Sequence, residues 1–343
     1  MSEDPTGGGA EGGGADGEST GGGAEGGGAD GGGAGGEPTR DGADEALRYH
    51  VDGEVVPASE ATVSVEDRGF AYGDAAFETM RAYGGDVFRW SDHAARLAGT
   101  CETLGLDHGL AESDLKARID ETLAANDLAD AYVKLSVTRG VQPGTLDPDP
   151  EVDPTVVVIA KPLPRGGVDS EPVHDGPAAL QTTKTRKPSS RALPADAKTH
   201  NYLNGILARL ELRVTGADEA LMLDPDGNVA EGATANLFFA DGTSLKTPSL
   251  DGPILPGVTR RTVIEIAEAE GIPVEEGTYP PDAVRGADEV FLTNSTWEIR
   301  PVETVDGLAV DGDGDSVEGP LTTLLSRLFD RRVEERYYDG ERL

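Results

Sequence analysis

Four turn signals, each set between apolar runs, constrain this chain more than any other feature. Asp52-Gly53 separates RYHV from EVV, and Gly84-Gly85 separates ETMRAY from VFRW. The run Asp224–Gly227 separates EALML from NVAEG, and Asp241-Gly242 separates NLFF from SLKT. Asp-Gly and Gly-Gly pairs supply the positive φ that tight hairpin turns require. The pattern predicts two groups of antiparallel hairpins rather than the strand–helix alternation of a dinucleotide fold. Single strands are expected at Tyr132–Thr138, Thr155–Ala160 and EVFLT.

Apolar spacing places helices around these strands. One is capped by Ser91, with Ala95, Ala98, Cys101 and Leu104 among its apolar positions. A second covers ESDLKARIDETLAAN, with Leu115, Ile119 and Leu123 on one face. Others are expected over His200–Thr215, over Thr259–Glu270 and from Leu321 to Arg336. KPLPRGG, Lys161–Gly167, reads as a linker. The expected class is α+β, two α/β domains over 48–162 and 168–343 joined at 163–167. Ahead of them, GGGAEGGGAD recurs almost verbatim between Gly7 and Asp30. A segment without large apolar side chains cannot offset the entropy of ordering, so residues 1–47 are expected to form a disordered tail. Its glycines are no phosphate loop, because no Gly-Lys-Ser/Thr follows them.

Charge removes several functions. Asp and Glu number 64 against 29 Lys and Arg, a formal charge of -35 spread along the chain. Phosphate contacts need clustered cations, so no nucleic acid partner is expected. The acid suits a salt-rich interior, where screening suppresses self-repulsion. Cys101 is the only cysteine, which excludes an internal disulfide and a thiolate metal cluster. MSEDPTGGG has neither the basic start nor the apolar run of a signal peptide. No stretch approaches the ~18 apolar residues of a membrane span. A cytoplasmic protein without a membrane partner is expected. DGDGD at Asp311–Asp315 is no calcium loop, since Ser316 replaces the turn glycine and Thr322 the bidentate glutamate. No metal site is expected.

Four segments carry candidate chemistry. Lysine is scarce, and Lys198 sits in PADAKTHNYLNGILARLEL just ahead of a helix. Alone, it reads as a solvated lysine. GPILPGVTRRTV turns into a helix whose first N–H groups, at Val258 and Thr259, face an anion as readily as solvent. Glu231 lies in NVAEGATAN, where a strand ends in small residues. FLTNSTWEIRPV ends a strand in hydroxyl and amide side chains.

Taken in order, DRGFAYGDAAFETMRAYGGDVFRWSDHAARL, the lysine segment, VAEGATANLFF, ILPGVTR and VFLTNSTWEIRPV resemble the class-IV, fold-type-IV pyridoxal-phosphate enzymes. That family includes branched-chain aminotransferases, D-amino-acid aminotransferases and 4-amino-4-deoxychorismate lyases. The resemblance runs from Arg48 to the C-terminus. It implies a D-amino-acid-aminotransferase-like fold with pyridoxal 5'-phosphate between two domains, a homodimer, and a small-molecule amino substrate. It implies that Lys198 is the Schiff-base lysine, which also shuttles protons at the substrate α-carbon. Glu231 is the implied partner of the pyridine nitrogen. Arg96, the backbone of Val258 and Thr259, and Ser295 are the implied phosphate ligands. Tyr202 approaches the ring oxygen, and Phe77 lines the substrate pocket. Two of these have plainer readings: Arg96 as an i,i+4 partner of Asp92, and Tyr202 as a core aromatic.

Within the family, three features favour the lyase, which converts aminodeoxychorismate to 4-aminobenzoate and pyruvate. Asn294 stands where branched-chain enzymes usually carry glycine, Lys134 stands where many carry arginine, and YVKLSVTRG and YGDAAFETMR resemble the branch of lyases and D-aminotransferases. Against it, RGVQPGTLDP lacks the second arginine common after the TRG turn in lyases and D-aminotransferases. Branched-chain aminotransferase, passing the amino group to 2-oxoglutarate, is the alternative, followed by D-amino-acid aminotransferase. Lys134, Arg139 and Asn294 are the substrate-side candidates. An interaction protein with an inactive enzyme-like domain is the non-enzymatic alternative.

Overall fold

The computed structural model describes residues 47–165, 172–242, 244–310 and 319–338. Most of the Gly/acid tail, part of the expected linker and the Asp311–Asp315 loop lie outside them. The described residues all belong to one compact unit.

Its first sheet holds β1 (Arg48–Val51), β2 (Glu54–Pro57), β3 (Ala75–Tyr83), β4 (Asp86–Val87), β5 (Ala131–Thr138) and β6 (Val156–Pro162), in the order β2-β1-β6-β5-β3-β4. Every pairing is antiparallel, and the first two predicted hairpins form at their turns. Short helix α1 (Arg68–Tyr72) precedes β3, and α2 (Trp90–Leu104) and α3 (Glu112–Ala125) follow β4. The side-chain period of two divides β3 between two environments. Ala76, Met80 and Ala82 join Leu97, Cys101, Leu115, Ile119 and Leu123 in a core under α2 and α3. Phe77 and Thr79 point the other way, beside Lys134 and Ser136 of β5.

The second sheet holds β7 (Ala178–Thr182), β8 (Glu219–Leu223), β9 (Val229–Gly232), β10 (Asn236–Asp241), β11 (Ser244–Pro248), β12 (Val274–Gly277), β13 (Glu289–Asn294) and β14 (Glu298–Val305), with β15 (Leu308–Ala309) paired to β14. The other two predicted hairpins, β8-β9 and β10-β11, form here. The sheet is mixed, because β7 pairs in parallel with both β14 and β8, and β12 with β11. Helices α4 (Leu203–Leu212), α5 (Val258–Ala269), α6 (Pro281–Arg285) and α7 (Pro320–Tyr337) accompany it. Val263 and Ile266 of α5 and Phe329 and Val333 of α7 pack on Phe238 and Phe291 of the sheet. Burying each such side chain contributes about 1.5–3 kcal/mol. Tyr83 and Phe88 enter the same cluster, so the core runs from one sheet to the other.

Two helix starts differ from the sequence expectation. Ser91 is not a cap: α2 opens two residues earlier, with Arg89 in the cap position at φ 51 and no side-chain cap. α4 begins at Leu203 rather than His200, because Lys198–His200 is held as an extended partner of β3. Phe77 N donates to Lys198 O at 3.0 Å, and His200 N donates to Ala75 O at 3.1 Å. β7, β12 and β14 were not legible, β12 being short and half-exposed and β14 carrying Pro301 and several charges. Among the described residues, no helix is long and apolar enough to cross a membrane. No group of three His, Cys, Asp or Glu there could hold a metal.

Candidate active site

A cavity of about 840 Å³ opens between the two sheets. The pocket face of the first sheet contributes Phe77, Thr79, Lys134 and Ser136, and the second contributes Glu231, Thr293 and Asn294. Lys198, Tyr202, Arg96, Val258, Thr259 and Ser295 also line it. Ten of the eleven sequence-predicted residues therefore meet around one space.

Lys198 is 9% exposed. Its backbone is fixed on both sides, by the Phe77 N–H and by its own N–H donating to Thr100 Oγ1 at 3.0 Å. The amine is left to the cavity: Nζ meets Tyr202 Oη at 2.8 Å and stands 4.2 Å from the Phe77 ring centroid. Buried without a carboxylate partner among the described residues, this amine suits carbonyl chemistry better than a structural ion pair.

Arg96 and the start of α5 form an anion cradle. Gly257 caps α5 without a side chain, so the first-turn N–H groups at Val258 and Thr259 face the cavity uncapped. The Arg96 Nε donates to Glu78 Oε1 at 2.9 Å, its Nη2 to Glu78 Oε2 at 2.6 Å, and its Nη1 to Pro256 O at 2.9 Å. A guanidinium has five N–H groups, so these three bonds leave two for a ligand. The Asp92 partner expected for Arg96 is instead engaged by Arg89 and Arg261.

Glu231 lies across the cavity on β9, with its carboxylate fully engaged. Oε1 accepts from Lys187 Nζ at 2.6 Å, and Oε2 from Asn236 Nδ2 at 2.9 Å and Leu255 N at 3.1 Å. Burial depresses the Lys187 ammonium, but the adjacent Glu231 outweighs it and holds its pKa above the usual lysine value.

One substrate-side expectation needs correction. Arg139 is not among the cavity-lining residues. It is 5% exposed, forks onto Asp74 at 2.8 and 3.2 Å, and donates to the carbonyls of Leu104 and Gly105. Four of its five N–H groups are thus engaged away from the cavity. Asn294 lines the cavity but spends its side chain on its own turn: Oδ1 accepts from Thr296 N at 2.9 Å, Thr296 Oγ1 at 3.0 Å and Trp297 N at 2.7 Å. Its Nδ2 donates to Thr234 O, also on the cavity wall, at 3.4 Å.

Sequence reasoning missed Glu78, Lys187, His200 and Asn236. Glu78 had a signal, an acid inside the buried strand of FETM. Lys187 and Asn236 had none, since both meet Glu231 only through tertiary folding. His200 lines the cavity, with Nε2 3.1 Å from Ser136 Oγ. Burial, then Lys134, pushes it down to about 4, so it is neutral near pH 7.

Comparison with known proteins identifies the family. The amino-transferase class IV family profile matches residues 75–305. A Methanocaldococcus jannaschii protein provisionally named branched-chain-amino-acid aminotransferase is 39% identical over 285 residues, covering 82% of this chain and 95% of its own. The D-alanine aminotransferase of Staphylococcus haemolyticus is 31% identical over 296 residues, 84% and 99% of the two chains. Among solved structures, the branched-chain aminotransferase of Thermoproteus uzoniensis with norvaline superposes with TM-score 0.77 at 30% identity, covering 86% and 96%. The Escherichia coli branched-chain amino acid aminotransferase gives 0.74 at 28%, covering 82% and 92%. None of these relatives is named a lyase. The chain belongs to the class IV aminotransferases, enzymes that use pyridoxal phosphate.

Proposed function

We propose that this enzyme transfers the amino group of a branched-chain amino acid to an acidic 2-oxo acid, 2-oxoglutarate being the simplest. The observation that carries this reading is Lys134. Its Nζ lies 5.2 Å from the Phe77 ring centroid, in the cavity wall, with no carboxylate partner among the described residues. In a chain with 64 acids and 29 bases, an unpaired pocket cation has a use outside the fold. Phe77, Val157, Ile159 and Leu193 complete an apolar wall around it. One pocket thus offers apolar surface to a branched side chain and a cation to a distal carboxylate, as alternating donor and acceptor require. The relatives named as branched-chain aminotransferases support the same reading. D-alanine aminotransferase is the second reading, supported by names of similar relatives.

The residues present fit the cofactor. The cradle of Arg96, Val258 and Thr259, with Ser295 beside it, would hold the phosphate; Lys198 would hold the aldehyde; and Glu231 would face the ring nitrogen. When bound, pyridoxal phosphate supplies an aldehyde for the substrate amine and a ring that takes up the electrons released at the α-carbon. Lys198 Nζ is the base that removes the α-proton and returns it, and Tyr202 Oη at 2.8 Å orients that amine. Glu231, fixed by three donors, would place its carboxylate where it favours a protonated ring nitrogen.

We read the two sheets as two domains and the exposed apolar face of α4 as a contact with a second copy. Leu203, Ile206, Leu207 and Leu210 on it are 67%, 54%, 46% and 43% exposed. Sedimentation as a monomer at working concentration refutes the dimer. The function is tested with purified enzyme, cofactor and high salt. Leucine with 2-oxoglutarate should yield the branched oxo acid and glutamate. D-alanine turnover in its place moves the assignment to the second reading. 4-Aminobenzoate and pyruvate from aminodeoxychorismate, without an amino acceptor, restore the lyase.

A further inference from the structure

We propose that Arg89 is a positioning residue for cofactor binding: it sets the gap between the two halves of the anion cradle by locking α2 against α5. The proposal rests on the reading of that cradle as the phosphate site. One half, Arg96, rides on α2; the other is the N-terminus of α5. Among the described residues, the hydrogen bond that joins them at the cradle is Arg96 Nη1 to Pro256 O at 2.9 Å. A single contact leaves two helices free to pivot, and a pivot opens or closes the cradle.

A second attachment lies farther along. Arg89 forks onto Glu265 of α5, Nη1 to Oε2 at 2.5 Å and Nη2 to Oε1 at 2.9 Å, and also reaches Thr262 Oγ1 at 3.3 Å. Asp92 Oδ1 meets Arg261 Nη2 of α5 at 2.7 Å, and Arg332 of α7 joins Glu265 at 3.3 Å. Positions 89, 92 and 96 follow the i, i+3, i+7 spacing of one helix face. Residues 256, 261 and 265 advance along α5 in the opposite sense. The two attachments, about 10 Å apart along α2, fix both separation and angle.

The backbone also points to a positional role. Arg89 sits at φ 51, a left-handed conformation rare for a long side chain, and its side chain caps no backbone N–H of α2 but bonds Asp92 in the first turn. Glycine or asparagine fits that backbone better. What arginine adds is the planar fork onto Glu265. An isolated surface pair contributes little, but a bidentate member of a five-charge network, held across two elements, contributes orientation.

The test titrates full-length chain, stripped of cofactor, with pyridoxal phosphate and, in parallel, with pyridoxal, which lacks the phosphate. Binding is read from the absorbance of the cofactor–lysine adduct. Arg89→Gly keeps the backbone conformation and removes the fork; Arg89→Lys keeps charge without the fork. The Gly variant is expected to bind pyridoxal phosphate roughly tenfold more weakly, with pyridoxal affinity and melting temperature unchanged and Lys intermediate. Equal affinity of the Gly variant and the wild type for pyridoxal phosphate overturns the proposal, as does equal weakening for both ligands. Failure of the wild type to prefer pyridoxal phosphate over pyridoxal instead overturns the phosphate-site reading.

Discussion

Glu78 and Arg96 form a buried, two-pronged pair: the carboxylate, 0% exposed, accepts Nε at 2.9 Å and Nη2 at 2.6 Å, and accepts His93 Nδ1 at 2.8 Å as well. The acid sits on the helix-facing side of β3, and the guanidinium carries its remaining N–H groups to the cavity. Removing one partner of such a pair strands the other's charge, at a cost of about 3–5 kcal/mol. Glu78→Ala is expected to lose about that much stability in a denaturant titration and to bind pyridoxal phosphate weakly. Glu78→Gln keeps one acceptor and should fall between. Full cofactor affinity in Glu78→Ala would show that Arg96 holds its place without it.

The same pair sets an acid limit. Burial raises the Glu78 pKa, but Arg96 and then His93 outweigh it and hold the group at about 2, below the ordinary 4.5. In the unfolded chain the carboxylate takes up its proton near 4.5; in the fold it resists until about 2. Stability from this pair is therefore complete above pH 4.5 and is lost as pH falls toward 2, amounting to roughly 3 kcal/mol. Wild type should show a steeper loss of melting temperature than Glu78→Gln across that window. Parallel curves would remove Glu78 from the account.

The hairpins were legible because their turns are local: a Gly after Asp encodes its own geometry. The ordered motifs brought ten of eleven predicted residues to one cavity for a similar reason, each lying at the end of a strand or helix that its own segment specifies. Arg139 misled because its type suits two jobs. A guanidinium binds carbonyls as readily as a carboxylate, and only the fold shows Leu104, Gly105 and Asp74 already in place. Partnerships across distant segments, Arg89 with Glu265 or Glu231 with Lys187, leave no mark in local spacing.

Lys198→Ala tests the amine directly. Its side chain makes one hydrogen bond, to Tyr202, so the fold should survive with a stability change within about 1 kcal/mol. The cofactor chromophore and turnover should vanish. Residual turnover with the wild-type product would assign the proton transfer to another group.

Lys134→Ala separates the two substrates. The KM for 2-oxoglutarate is expected to rise roughly 10- to 100-fold, the loss of one charge-assisted contact. The KM for leucine should change little, since the apolar wall of Val157 and Ile159 is intact. An equal rise for both would make Lys134 a structural cation of the wall.

Glu231 and Lys187 allow the ring partner to be distinguished from a scaffold. In Glu231→Ala, the donors Lys187, Asn236 Nδ2 and Leu255 N lose their acceptor together. Arg96 and the first N–H groups of α5 remain in this variant, so the cofactor should stay bound. Removal of the substrate α-proton, followed by exchange of α-deuterated leucine in single turnover, should slow by about 100-fold or more. Lys187→Met supplies the control, because it removes the partner's charge and leaves the carboxylate with two donors. If Glu231 acts on the ring, Lys187→Met exchanges deuterium within a few-fold of wild type. If the two variants slow equally, the charge pair as a whole shapes the cavity, and Glu231 has no separate role at the cofactor.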